Sequence, residues 1–392
     1  MRTTWSFALV TVAFSIWGAD ASAIPAFARK YDTPCATCHA VYPKLNPFGR
    51  AFKENGLRMP DESTTWAETL RSFPVSLRSN LTFDLLGPDT SRFTYGLFKP
   101  IFAASLSNVV TLWIDRNLFA VDLPGQQKVQ DLGTDNGWLQ VDDVLRAARP
   151  DLLNVKVGKF ELDLPFTQTR TYNRFPYEPY QLTTGNEGFT LSGSERGIEF
   201  SGSPGKEVRY SVAFVDGKNP QSVLDADDFD GDLYFRLSKT FDRTHRVGFF
   251  LYRGQNTLRD NIGNPYTNNI TRLGGDADLL GARGKANLYG LYLWGRNSNP
   301  TGPSVVTTPL DLDGGFVQFD GHAAEWITFI GRFSTLNADA APGVATRFNN
   351  VAFGAQSWLY ERLKIAYEFR FQLDKNGMKR IDWGTLSFDL VL

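Results

Sequence analysis

The sequence predicts a mainly β protein: a transmembrane antiparallel β-barrel of about sixteen strands, with a small α-helical N-terminal domain acting as its plug. Three observations predict it. Apolar and polar residues alternate over segments of about ten residues, the period of a strand with one apolar face. Short turns alternate with long polar stretches, as expected when a barrel has one tight rim and one looped rim. The mean hydropathy of −0.26 is too polar for a helical membrane protein but suits a barrel with a wet lumen.

The N-terminus reads as an address. Arg2 precedes an apolar run through Phe7, Leu9, Val10, Val12, Phe14, Ile16 and Trp17, which ends in the small residues Ala21-Ser22-Ala23. Residues 1–23 are expected to be a cleaved signal peptide, with Ile24 as the mature N-terminus. The competing reading, a membrane anchor, suffers from an apolar core too short to span hydrocarbon. No later stretch approaches eighteen consecutive apolar residues, so no transmembrane helix is expected. Export leaves periplasm, outer membrane or medium as destinations.

Residues 35–39 read Cys35-Ala36-Thr37-Cys38-His39, and these are the only two cysteines in 392 residues. Two thiols at this spacing reach the vinyl groups of one haem, and the adjacent histidine falls under the iron as proximal ligand. A thioredoxin-like pair would need a βαβ context, which the flanks lack. A zinc site would need two further ligands, yet no other cysteine exists and His245 and His322 are remote. Residues 24–73 are therefore expected to form a monohaem cytochrome c domain holding one covalently bound haem c.

Within that domain, the helix carrying the motif is expected to end at Pro43. Asn46 reads as an N-cap, Pro47 as the first helical residue and Gly56 as the C′ residue of a second helix. Phe48, Ala51, Phe52 and Asn55 share one face of it and would cover one side of a porphyrin. Met59, twenty residues after His39, is the candidate distal ligand; the alternative is a methionine with no metal role. Arg50, Lys53 and Arg58 read either as partners for haem propionates or as solvated surface charges.

From 74 to 392 the texture is barrel-like. Val75, Leu77, Leu81, Phe83 and Leu85 alternate with polar residues, as do Leu363, Ile365, Tyr367, Phe369 and Phe371, and then Leu386, Phe388 and Leu390. Short turns are read at Arg149-Pro150-Asp151, Asp242–His245, Asp320-Gly321-His322 and Tyr360-Glu361-Arg362. Long loops are read at 120–137, 254–275, 295–313 and 334–350. Trp113, Trp138, Trp294, Trp326, Trp358 and Trp383 are candidates for interfacial girdles. At roughly 40 residues per hairpin the segment holds about eight hairpins, hence about sixteen strands. A secreted soluble β-domain is the competing architecture. In the barrel reading, Met378 lies in an extracellular loop, and His245 and His322 lie in periplasmic turns as ordinary solvated histidines.

Charge narrows the partners. With 41 basic and 42 acidic side chains, a net charge of −1 and no basic block, the chain has no field to attract nucleic acid.

The stretch Pro25-Ala26-Phe27-Ala28-Arg29, the Cys35–His39 motif, Pro43-Lys44-Leu45-Asn46, Phe48-Gly49-Arg50-Ala51-Phe52-Lys53 and Gly56 resembles the N-terminal domain of the fused monohaem cytochrome–porins, outer-membrane iron oxidases of iron-oxidising bacteria. Over the barrel the likeness is architectural, and Val157–Phe166 is its most family-like piece. Leu57 departs from the aromatic residue expected after Gly56. The resemblance implies an electron-transfer protein in which Cys35 and Cys38 hold the haem and His39 ligates the iron. It further implies outer-membrane lipid as the surroundings, extracellular Fe(II) or another outside redox partner as donor, and a periplasmic c-type cytochrome as acceptor. Three functions compete: an electron conduit in either direction, a diffusion porin with a haem-stabilised structural plug, and a haem enzyme such as a peroxidase with an open sixth position.

Overall fold

The computed structural model describes residues 25–34, 37–41, 44–59, 62–63, 65–71, 74–86, 92–123, 133–145, 151–166, 177–184, 189–205, 207–217, 231–242, 244–259, 263–281, 285–302, 309–324, 326–341, 344–359, 363–373 and 382–391. The expected signal peptide, Ile24, Cys35 and Met378 lie outside these residues.

Alternating segments closed on one another form the barrel. Its strands are β1 (Val75–Leu86), β2 (Arg92–Ser105), β3 (Val110–Asn117, continued by Phe119–Leu123), β4 (Gly133–Val141), β5 (Asn154–Glu161), β6 (Ser194–Gly205), β7 (Val208–Val215) and β8 (Asp232–Phe241). The second half comprises β9 (His245–Arg259), β10 (Pro265–Gly281), β11 (Ala286–Asn297), β12 (Leu310–Ala324), β13 (Ile327–Ala341), β14 (Val344–Leu359), β15 (Leu363–Leu373) and β16 (Asp382–Val391). Each strand pairs antiparallel with the next, and β16 closes on β1 with Val391 opposite Arg78. The two pieces of β3 count as one strand because β2 pairs with both. Sixteen strands result, as the hairpin arithmetic predicts.

Period-2 alternation sorts the side chains. On β11, Tyr289, Leu291 and Leu293 are buried inside while Leu288, Tyr292 and Trp294 face out. Val317, Phe319 and Phe329 leave 55, 50 and 53% of their surface open on the outer wall. So extensive an apolar outer surface requires an apolar surrounding. Among the described residues no helix is long and apolar enough to cross a membrane. The inner wall carries charges of both signs in pairs: Arg78 and Lys364 on Asp389, Arg236 on Asp276, and Arg332 on Glu368. Pairing is what makes such buried charges tolerable.

Several expectations are corrected. The stretches 254–275 and 334–350 are mostly strand: only 260–264 separates β9 from β10, and only 342–343 separates β13 from β14. Their polar residues alternate around an aqueous interior instead of marking loops, since Asn256 and Asn268 are buried opposite one another. The turn read at Asp320-Gly321-His322 falls later, because β12 runs on to Ala324; His322 is a strand residue, with its ring Nδ1 2.9 Å from Thr328 Oγ1. Trp294 and Trp326 face outward as expected, but Trp113 and Trp138 face the lumen and stack at 6.1 Å. Trp113 shares its parity with buried Thr111 and Asp115, which fixes the face it occupies.

The described residues of the long connection between β5 and β6, 162–166, 177–184 and 189–193, lie in the lumen. Tyr177, Tyr180, Phe189 and Leu191 from this insert pack against Tyr252, Ile270, Tyr289 and Phe316 of the wall. A one-turn 3-10 helix, Glu178–Gln181, lies within it. Sequence reasoning did not identify this insert.

Ahead of the barrel lie α1 (Pro25–Tyr31), α2 (Pro47–Glu54) and α3 (Trp66–Arg71). Where described, the motif carries no α-helix: Thr37 is in a 3-10 turn, and His39–Val41 pairs with Lys44–Leu45 as a small antiparallel ribbon. The cause is local. Pro34 accepts a turn bond from Thr37 N–H, and Asn46 ties the ribbon by donating its N–H to Cys38 O and its side-chain amide to Thr37 O.

Candidate functional site

The N-terminal segment sits in the mouth formed by the short turns. Ala26 N–H donates to Ser76 Oγ (3.3 Å) and Arg29 to Val75 O (2.7 Å), fixing α1 to the start of β1. Lys44 and Arg50 both reach Asp278, at 3.2 and 3.3 Å, near the end of β10. Arg58 pairs with Asp142 at 2.9 Å beyond β4, and Arg209 of β7 lies 3.5 Å from Glu54. Gly56 O accepts from Ser105 Oγ and Thr111 Oγ1. These contacts are distributed around one rim, against which the described residues of the segment rest.

The expected boundaries of α2 hold. The Asn46 side chain accepts from Gly49 N–H at 2.8 Å, Pro47 opens the helix, and Gly56 takes φ +63°. Leu57 N–H donates to Phe52 O, completing a Schellman cap. The expected porphyrin-covering face is rotated. Gly49 and Phe52 are buried, whereas Phe48, Ala51 and Asn55 are exposed, because α2 lays its glycine on the motif. A Cβ at Gly49 would lie 2.0 Å from Cys38 O, so only glycine allows this approach.

Between plug and barrel is a cavity of about 270 Å³. Cys38 and His39 contribute to its wall together with Phe27, Phe52 and Leu57; Trp113, Trp138, Phe160 and Phe166 approach from the barrel and its insert. Its charges are mixed: Lys53, Lys156, Arg209 and Arg246 line it, and so do Glu54, Glu161, Asp163 and Glu199, with Lys156 paired to Glu199 and Arg209 to Glu54. Burial pushes the Cys38 thiol up from its usual range, and pulls the Lys44 ammonium down against the opposing attraction of Asp278. The donor set fits a c-type haem: thiol and imidazole at one wall, Gly49 making room for the motif, aromatic faces around it, and cations suited to carboxylate substituents.

Not every residue expected at the site is brought there. Cys35 lies outside the described residues. Met59 sits at the edge of the cluster formed by Phe52, Leu57, Ile101, Ala103 and Trp113, and is not part of the cavity wall. Its loop is pinned by Glu62, which accepts from Met59 N–H (3.0 Å) and Tyr31 OH (2.6 Å) and pairs with Lys30. Burial, then the Glu62 bond, raises the Tyr31 phenol well above its ordinary range. Arg58 is committed to Asp142 and Arg50 to Asp278; Lys53 alone of that trio combines a place on the cavity wall with surface exposure. Trp113, Trp138, Lys156 and Arg246 were missed as site residues, because in sequence they lie far from the motif.

No family model matches the chain, and no curated protein matches it. Solved structures match its fold. In-vitro-folded OmpT, an outer membrane protein of Vibrio cholerae, superposes with TM-score 0.57 at 9% identity, covering 81% of this chain and 96% of that one. An anion-selective porin from Comamonas acidovorans gives TM-score 0.56 at 8% identity, with 81 and 98% covered. The outer membrane channel DcaP of Acinetobacter baumannii gives 0.53 at 8% identity, with 81 and 96% covered. At these identities the likeness establishes a porin-like barrel fold and nothing finer.

Proposed function

We propose that this chain is an outer-membrane protein of porin architecture that carries electrons across that membrane, from extracellular Fe(II) to a periplasmic c-type cytochrome. The observation that carries the reading is that Cys38 and His39 line a cavity between the N-terminal segment and a lumen packed by Phe166, Tyr177, Tyr180 and Phe189. Outer-membrane placement is supported by the apolar outer wall and by the fold shared with outer-membrane proteins. In this placement the short-turn rim, with its plug, faces the periplasm.

Cys35 and Cys38 would hold one haem c by thioether bonds and His39 would be the proximal ligand; for Met59 to be the distal one, its loop would have to leave the Glu62 bond that holds it off the cavity wall. When bound, the haem supplies a one-electron redox centre. The chain's own residues do the rest. Phe27, Phe52 and Trp113 exclude water, Lys53 and Arg246 offset carboxylate charge, and the Asp278 and Asp142 pairs hold the plug in register with the barrel.

A second reading is a solute channel whose haem-bearing plug is only structural, and the fold comparisons favour it, since the matched proteins include a porin and a channel. One experiment separates the two. Electron transfer predicts a haem-staining outer-membrane band whose spectrum is reduced by Fe(II) supplied outside intact cells. A Cys35→Ala, Cys38→Ala protein that still gives wild-type, solute-dependent liposome swelling, from a parent whose haem ignores outside reductant, would establish the channel instead.

A further inference from the structure

We propose that the aromatic side chains gathered in the lumen around Phe166, Tyr177, Tyr180 and Phe189 form an electron-tunnelling bridge between the Cys38–His39 cavity and the loop rim. This rests on the haem-bearing reading above. Phe166 and Tyr177 belong to the cavity wall. The Phe166 ring lies 4.8 Å from that of Tyr289 and 5.7 Å from Phe316. Tyr177 stacks on Phe316 at 4.7 Å and 11°, and meets Tyr180 edge-on at 6.2 Å. Tyr180 O accepts from Leu191 N–H at 2.9 Å, which ties it to the segment carrying Phe189. The Phe189 ring is 4.9 Å from Tyr252, and the Tyr252 hydroxyl donates to Asp232, the first residue of β8 at the loop rim.

Filling a lumen does not require this choice of residues. Aliphatic side chains would pack an insert as well. Here two groups of rings in contact, Phe166 to Tyr180 at the cavity and Phe189 with Tyr252 nearer the opposite rim, each ring no more than 5% exposed, line the way across the lumen. The gap between Tyr180 and Phe189 is spanned by a backbone hydrogen bond. Charge favours tunnelling over stepwise oxidation of the rings. The Lys44 ammonium lies 3.4 Å from the Tyr289 centroid and the Arg332 guanidinium 5.7 Å from that of Tyr177. A cation on a ring face opposes removal of an electron from that ring. The outside donor would lose one electron and a bound ferric haem would take it up; no bond forms or breaks and the phenolic protons stay in place.

The test uses holoprotein in liposomes with the loop rim outward and Fe(II) added outside as probe, following the haem spectrum. Phe316→Leu and Tyr180→Leu are compared with wild type and with Tyr180→Phe, which keeps the ring. The expected result is loss of the fast reduction phase in both leucine variants and its retention in Tyr180→Phe. Haem content, band positions and midpoint potential should match wild type in all three. Wild-type reduction rates in the leucine variants overturn the bridge while leaving the haem reading intact. A shifted potential or lost haem in them also overturns it, by showing that these rings shape the cofactor site. Wild-type protein without a haem band overturns the reading under Proposed function, and the bridge with it.

Discussion

Asp278→Asn should unlatch the plug without unfolding the barrel. Asp278 is a wall residue, and its two carboxylate oxygens take Lys44 at 3.2 Å and Arg50 at 3.3 Å, both from the plug. All three side chains are largely buried, with 4, 11 and 17% exposure, so solvent screens the pairs little. Removing one partner of a buried pair costs about 3–5 kcal/mol. Asparagine keeps the shape and one accepting oxygen, which places the loss near the lower end, about 3 kcal/mol. That cost falls on the seated state alone, because an unseated plug returns both cations to water. The equilibrium for opening should therefore rise roughly 150-fold. Hydrogen exchange reads it directly. The Asn55 and Leu57 amides, bonded to Ala51 O and Phe52 O, should exchange about two orders of magnitude faster, while β12 and β13 amides keep wild-type protection. Unchanged protection at Asn55 and Leu57 would refute the latch; a parallel loss in β12 and β13 would show that Asp278 stabilises the barrel instead.

Other expectations follow from the same geometry. Gly49→Ala puts a methyl against Cys38 O, a backbone atom that cannot swing aside; on the proposed haem-bearing reading a cost of about 1–3 kcal/mol should appear as less haem per folded barrel, with barrel melting unchanged. Asn46→Ala removes both the cap of α2 and the bond to Thr37 O, so α2 amide protection should fall by about 1 kcal/mol, and a variant as protected as wild type counts against the cap. In haem-free protein, burial raises the Cys38 pKa, so less thiolate exists at neutral pH. Alkylation of Cys38 in a Cys35→Ala background should be slower than for a free thiol and climb through a more alkaline midpoint; an ordinary thiol profile would mean the cavity is open to water. Arg58→Met leaves Asp142 buried with Gln140 as remaining donor, and should destabilise plug seating by about 3 kcal/mol in the same exchange assay.

The barrel was legible because its signal is repeated: each strand states the same alternation, and errors at single loops do not change the count. The error at 254–275 and 334–350 has one cause. A polar residue facing a wet lumen looks like a loop residue until the opposite face is examined, and Leu273 in the first stretch, 47% exposed and out of phase with buried Asn268, already carried that face. Parity would also have corrected Trp113, which is in phase with Asp115 and out of phase with Ile114. The boundaries of α2 were readable because capping chemistry is local. The insert was not, because Tyr177, Tyr180 and Phe189 have no periodicity and gain their meaning from wall residues such as Phe316, far along the chain. The latch was equally hidden: nothing in Lys44 or Arg50 points to an aspartate more than two hundred positions away.

The seam of the barrel sets an order of assembly. Arg78 of β1 bonds Asp389 of β16 across a separation of 311 residues, with Lys364 sharing the carboxylate, so ring closure brings together nearly the two ends of the strand sequence. Contacts so distant form late and slowly, after the local hairpins have registered. The plug immediately precedes β1 and ends up inside the ring that this seam completes. Anything as bulky as a porphyrin bonded to Cys38 must already be in place when the seam shuts, or else enter through the mouth the plug itself fills. On the proposed haem-bearing reading, maturation of the thiols and closure of the barrel would be a single timed event, and a mutation that hastens closure should trap empty protein.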